Sequence, residues 1–448
     1  TGVFTNVVTL HSGSSPSTYS GATTITSGTL RVLGGGAIGD ASAVTVSSVA
    51  VFDVDESEIV GSITGTGSIT IADTHTLTAS QTNLLGGPLV TTFAGVIEGD
   101  GGLTVGVPSG TGTLTLTNVN TYTGTTTVDS GTLFLGNANT LVDTGAVVVN
   151  GTLDLMGTGE TIGSLAGNSS GSVKIYGNTL TVAGTGAGLG TGTGMTTDFD
   201  GVIEGIGPLV VNNGSDTIRL GGANTFTGGT TVTSGTLATT GSGSLGDVAL
   251  TGGAFNTAGM VTGTATISGG TMTVTGGTVA TAVNNNGVLN ITGGTVTTVN
   301  SAATTTNGGS IGTATITGGT FSTTGTVTGS VTNNGASVSV GGGTVASLIN
   351  SSGTATITGG NVVSMSNSST ASNSGSVGSL SQGSGSFTNA GNVSTANISG
   401  GSFSSSGTVG TLNNGGGASD IQGGSVTVAN NTSGSLTISG GSVGTLNS

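Results

Sequence analysis

The sequence predicts an all-β solenoid of parallel strands, and three observations carry that reading. Short runs alternate apolar with hydroxyl residues, as in "TLTLT" from Thr113 to Thr117, so that one face is buried and the other is wet. Gly, Asn and Ser recur between those runs, where corners need tight or positive-φ backbone. The chain also repeats itself, on two different measures, over its whole length. Helix-like periodicity is essentially absent.

Composition agrees and excludes much else. The 448 residues include 92 Gly, no Cys, no Trp and three Tyr. Glycine is abundant, but it keeps no G-X-Y register and only four Pro accompany it, which excludes collagen. A flexible Gly/Ser/Thr linker is the competing reading. Against it, Val, Ile and Leu recur at short intervals, and Val and Thr favour strands. The formal charge is −15, with only Arg31, Lys174 and Arg219 as cations. Nothing there neutralises phosphate, so nucleic acid is excluded as a partner. No polybasic stretch or long apolar run points to a membrane anchor or a transmembrane helix, so no membrane insertion of this segment is expected. With no Cys there is neither a disulfide framework nor thiolate chemistry.

Residues 1–248 are built on a module of about 104 residues. "YSGATTITSGTL" from Tyr19 returns as "YTGTTTVDSGTL" from Tyr122 and "FTGGTTVTSGTL" from Phe226. A second marker, "FAGVIEGDGGL" from Phe93, returns about one module later as "FDGVIEGIGPL" from Phe199. We read the first marker as an aromatic landmark, a Gly turn, a strand around Val128, a Ser-Gly corner, and a strand burying Leu133 and Leu135. Asp129 is expected to face outward.

Residues 249–448 repeat on a shorter measure. An aliphatic residue, one further residue and Gly-Gly recur, at nearly constant spacing, at Ile316, Ile357, Ile398 and Ile438. Intermediate anchors such as Val340 and Ile421 suggest a two-coil unit of about 41 residues, hence coils of about 20 residues. The whole chain then makes roughly 20 coils, the 104-residue module about five of them. At a ladder spacing of about 4.8 Å this is a rod on the order of 100 Å. Each coil is unstable alone and is held by the next.

Residues Tyr19–Leu30, Tyr122–Leu133 and Phe226–Leu237, with the preceding "NTYTG" and "NTFTG", resemble the autotransporter-associated β-strand repeat. The resemblance touches roughly the first 240 residues. It implies a right-handed parallel β-helix, exported through a bacterial outer membrane to the cell surface or the extracellular space. The sequence has no recognisable membrane-barrel segment, leader or serine-protease domain, so we expect a mature or truncated piece of such a protein. The resemblance carries over no catalytic residue.

Chemistry is sparse. The densest acidic stretch, "VFDVDESEIV", places Asp53 and Asp55 opposite Phe52 and Val54, with Glu56 and Glu58 following. Paired carboxylates can hold a divalent cation or work on a glycan. The plainer reading, which we take, is a solvated face without a metal site. Asp198 and Asp200 alternate in the same way, and Glu98 and Glu204 hold equivalent "GVIEG" positions expected to be outward corners. His11 and His75 lack metal-ligand spacing. Calcium-roll nonapeptides need a repeated Asp that the Gly-Gly motifs here lack, and there is no phosphate loop and no convincing nucleophile elbow. We therefore assign no catalytic, cofactor-binding or metal-binding residue and no cofactor.

The functional expectation is a non-enzymatic structural or adhesive surface protein. After Asp247 the only charged residue is Asp420, so little repulsion opposes lateral contact. Homo-oligomers or filaments, or a host-surface, glycan or matrix receptor, are the expected partners, and an uncapped terminal coil would add an open edge. The alternative is a β-helix that binds or cleaves polysaccharide, although three Tyr and no Trp leave few aromatic platforms. Ice binding through outward Thr ranks is a more remote alternative.

Overall fold

The structure is a computed structural model that describes residues 6–13, 17, 19, 21–83, 85–184 and 194–448. Among these residues the regular elements are all strands. Strand ladders run parallel, while an isolated bridge between Thr82 and Pro88 runs the other way. The described residues make about 24 turns of a β-solenoid, close to the roughly 20 expected. They fall into two compact units, Thr1–Val248 and Ala249–Ser448.

In the first unit, most strands belong to sheets of five, nine and six members. Alternation decides what is buried. In Thr113–Leu116 the two leucines point inward and the two threonines outward. Successive turns then stack like on like. Leu30, Phe52, Ile69 and Ile97 form one inner column through the pairing register, and all four are buried. The turns are unequal, the one from Phe52 to Ile69 being much shorter than the one from Ile69 to Ile97.

The repeated motifs are stitches between turns. Tyr122 is buried, with its hydroxyl 2.6 Å from the Thr126 hydroxyl. Tyr19 keeps the same bond to Thr23 but is 39% exposed. In "NTYTG", Asn120 accepts the Ile97 N–H at 2.8 Å and donates to the Thr140 carbonyl at 3.0 Å, joining the turns on either side. Asn224 of "NTFTG" repeats this with Ile203 and Ser244. "GVIEG" is a close-approach motif. A side chain at Gly95 would meet the Gly67 carbonyl oxygen at 1.8 Å and the Phe93 ring at 2.6 Å, and Gly99 has φ +103°. Glycine is required at both places.

The second unit is far more regular. One inner column is valine from Val261 to Val443, apart from Ile311. Its members follow one another at short and nearly equal intervals along the chain. A representative turn runs through strand Thr344–Ile357. Val345, Leu348, Asn350, Ala355 and Ile357 point inward from it. Phe387 and Phe403 stack on adjacent rungs, their ring centroids 6.0 Å apart.

This register corrects the predicted coil length. Ile316 pairs with Asn333, then Asn350, Asn367, Gln382 and Ile398. Ile357 belongs to another column, running Val340, Ile357, Asn373, Asn389, Ser405 and Ile421. Ile316 and Ile357 therefore lie on different faces, and the interval between them spans two and a half turns rather than two. Both corners can carry the same sequence, an inward Ile, one further residue and Gly-Gly, as after Ile316 and Ile357, so a half turn reads like a whole one. The long module of the first unit behaves alike. Leu30, Leu133 and Leu237 fall in three different sheets, so a module does not return the chain to the face it left.

Asparagine was expected at corners, yet many asparagines are buried strand residues. Asn333, Asn350 and Asn367 are fully enclosed. Asn333 donates to the Asn350 oxygen at 2.8 Å, Asn350 to Asn367 at 2.7 Å, and Asn367 to Gln382 at 2.7 Å. Each also donates to a backbone carbonyl across the corner, on Thr354, Thr370 and Ser386 respectively. The amides satisfy the corner backbone that a hydrophobic residue would leave unpaired.

Candidate functional surface

The acidic stretch does not form one site. Asp53 lies directly across from Arg31 in the ladder and accepts its Nε–H at 2.7 Å, while Asp55 is 3.9 Å from the same nitrogen. Glu58, expected on a solvated face, is instead 1% exposed. Its carboxylate accepts the N–H groups of Ala37 and Ile38, both at 3.0 Å. Burial pushes its pKa up against the pull of those bonds. Glu160 is the counterpart one module later. It accepts from Thr140 and Leu141 at 3.0 and 2.9 Å, and burial raises its pKa to about 7. Both glutamates hold loops. The signal for this role was the flanking apolar pattern in "SEIV" and "GETIG", which places the carboxylate on the inward phase of its strand.

The other acids are distributed along the solenoid. Asp198 lies across from Arg219 at 3.3 Å, and Glu204 lies across from Lys174 at 3.8 Å. Each cation of the chain thus faces an acid directly across the ladder on an adjacent rung. Glu98 accepts the Thr70 hydroxyl at 3.3 Å. It and Glu204 sit within strands rather than at corners. His11 Nδ1 receives the Gly13 N–H, and His75 Nδ1 receives that of Ser57. Among the described residues, no three His, Cys, Asp or Glu side chains gather where they could hold a metal ion.

A groove of about 510 Å³ runs over three consecutive corners of the first unit, lined by Asp73, His75, Asp100 and a set of threonines and glycines. Thr123 donates to Asp100 across it at 2.9 Å. It is acidic and hydroxyl-rich and lacks an aromatic platform.

The second unit presents a different surface, neutral and ordered. Two neighbouring outward columns carry only hydroxyls over six rungs. One runs Thr320, Ser337, Thr354, Thr370, Ser386 and Ser402, the other Ser322, Ser339, Thr356, Ser372, Thr388 and Ser404. On another side, Ser381, Asn397, Asn413, Asn430 and Asn447 form an outward column. A groove of about 350 Å³ opens there, lined by Asn397, Asn413 and Asn430 with Ser399, Gly415 and Thr432.

The aromatic stitches of the first unit, with Asn120 and Asn224, fall within a known repeat. The passenger-associated transport repeat matches residues 5–32, 109–135 and 210–238, which contain the three aromatic-to-leucine motifs. This chain is an autotransporter passenger segment. Its place is the bacterial cell surface or the extracellular space. Over 172 residues, 37% of its length, the passenger is 32% identical to the adhesin BmaC autotransporter of Brucella suis biovar 1 (strain 1330). The match covers 4% of that protein.

Proposed function

We propose that the passenger is an adhesive surface segment that works through the sides of its solenoid, without turnover. The observation that carries this reading is the ordered, nearly charge-free surface of the second unit, where hydroxyl columns run over six rungs on one side, an amide column runs along another, and Asp420 is the only charged side chain. Such a face makes many weak, shallow contacts of one kind, which add up along a long partner. The name of the relative, an adhesin, supports the same reading. Coating beads with the passenger should make them adhere to host cells or extracellular matrix in a saturable way that soluble passenger competes away. Beads that bind no better than albumin-coated controls would reject adhesion.

The same neutral columns support self-association as a finer version. Over the six hydroxyl rungs that end before Asp420, two copies could face their columns without bringing like charges together. Sedimentation across a wide concentration range tests it, and a strictly monomeric passenger at high concentration removes the oligomer or filament. The acids favour no cleavage of polysaccharide, because Asp53 is engaged by Arg31 and Glu58 by backbone N–H groups. Release of reducing ends from an extracellular glycan would overturn that choice.

A further inference from the structure

The outward asparagine column needs its own explanation. Asparagine is depleted in strands, and the buried asparagines are explained by the corners they complete. Asn413 donates to Asn397 at 2.8 Å, Asn430 to Asn413 at 2.7 Å, and Asn447 to Asn430 at 2.7 Å. These amides cap no corner, and their hydrogen bonds join them to one another.

An amide carries two N–H donors and an oxygen with two lone pairs, and a ladder uses one of each. Every rung therefore keeps a donor and an acceptor for a ligand, already oriented by its neighbours. Asn397 contributes only its oxygen to the ladder, which leaves both of its N–H groups. The column lies along the groove where Ser399 and Thr432 add hydroxyls and Gly415 leaves the wall low. No charged residue lines it.

We propose that this groove binds a linear, neutral, β-linked polysaccharide laid along the solenoid axis, about one sugar to a rung. The repeat distance selects the class of ligand. Rungs recur about every 4.8 Å, whereas an extended peptide presents like groups on one edge only every ~6.7 Å, two residues apart. A peptide falls out of step within two or three rungs. An extended β-linked hexopyranose chain advances one sugar in close to one rung and offers hydroxyls that both donate and accept. The neutral lining selects against uronic or sulfated chains. This assignment deepens the adhesive reading and rests on it.

The test uses the whole chain with fluorescently labelled β-1,4-linked glucose oligomers of two to six sugars, followed by anisotropy. Affinity is expected to rise with length up to about four sugars and then level off. In the double variant Asn413→Thr and Asn430→Thr, which suits a strand better than the native residues do, binding should weaken at least tenfold with circular dichroism and melting unchanged. Absence of binding by the hexamer, equal binding by the variant, or an extended Thr/Asn peptide competing as well as the glycan would each overturn the proposal. Running the bead assay alongside separates the two claims. Beads that adhere while the chain takes up no oligomer leave adhesion standing and remove the groove, and the opposite pair of results does the reverse.

Discussion

The two units solve the same problem, stacking a chain on itself, by different means. In the first, Phe52 and its stacked partner Ile69 are close in sequence, while Val173 and Ile203 stand nearly twice as far apart. Turns of such different length cannot share one corner, so individual side chains hold them, namely Asn120, Asn224, Glu58, Glu160 and the glycines of "GVIEG". In the second, short and nearly equal turns let identical positions stack for rung after rung, and the valine column and the amide ladders spread the stabilisation evenly. The comparison teaches that irregularity demands specific ties, among them buried carboxylates and amides, while regularity permits a nearly charge-free exterior. A solenoid stabilised by nearest neighbours accommodates both.

The sharpest way to break the comparison is at a stitch. Gly95→Val forces a side chain into the Gly67 carbonyl and the Phe93 ring, and should cost more than ~4 kcal/mol. Hydrogen exchange should show protection lost around residues 60–130 and retained in residues 260–440. Equal loss in both would mean that the units do not differ in this way.

Next in size is the amide ladder. Asn350→Leu removes the bonds to Asn333, Asn367 and Thr370 and leaves buried polar groups unmatched, a cost of about 2–4 kcal/mol. Urea unfolding of the second unit measures it. The even spreading of stability predicts the same cost, within error, for Asn333→Leu.

The tie at Glu160 predicts a pH dependence. Its folded pKa of about 7 lies above the ordinary 4.5, so the folded state holds the proton longer. Stability is greatest below pH 4.5, falls as pH rises toward 7, and is flat above. The fall is roughly 3–4 kcal/mol, since each pKa unit between 4.5 and about 7 is worth ~1.4 kcal/mol. Glu160→Gln should flatten that slope, as read from denaturant midpoints between pH 4.5 and 7.5. An unchanged slope would show that Glu160 does not titrate there.

The smallest effect is at the surface. Lys174→Met removes an ion pair of 3.8 Å between two exposed side chains and should change stability by less than about 1 kcal/mol, less still in high salt.

Much of the fold was legible in residues alone. Alternation in "TLTLT" gave the inward leucines, and the Tyr122 motif gave buried Val128, Leu133 and Leu135, as found. The candidate surface was less so. The Thr and Ser content announced a hydroxyl exterior, but nothing in it told which hydroxyls share a column, because columns depend on the true length of the turn. Glu58 read as one more acid of a solvated face until its strand was seen to turn it inward, as the strand of Glu160 does. Asn350 and Asn413 are the same residue type in similar local surroundings, yet one is enclosed and the other lines a groove.

Local patterning by itself determined the strands, the parallel solenoid, the two repeat systems and the passenger repeats, because period-two burial and corner chemistry act over a few residues. Only the tertiary structure decided the register. Whether the interval from Ile316 to Ile357 makes two turns or two and a half depends on which backbone groups pair between coils. That choice is set by the summed fit of valine, amide and glycine columns along the stack, not by any single segment. The asparagine groove and the hydroxyl columns exist only once that register is fixed.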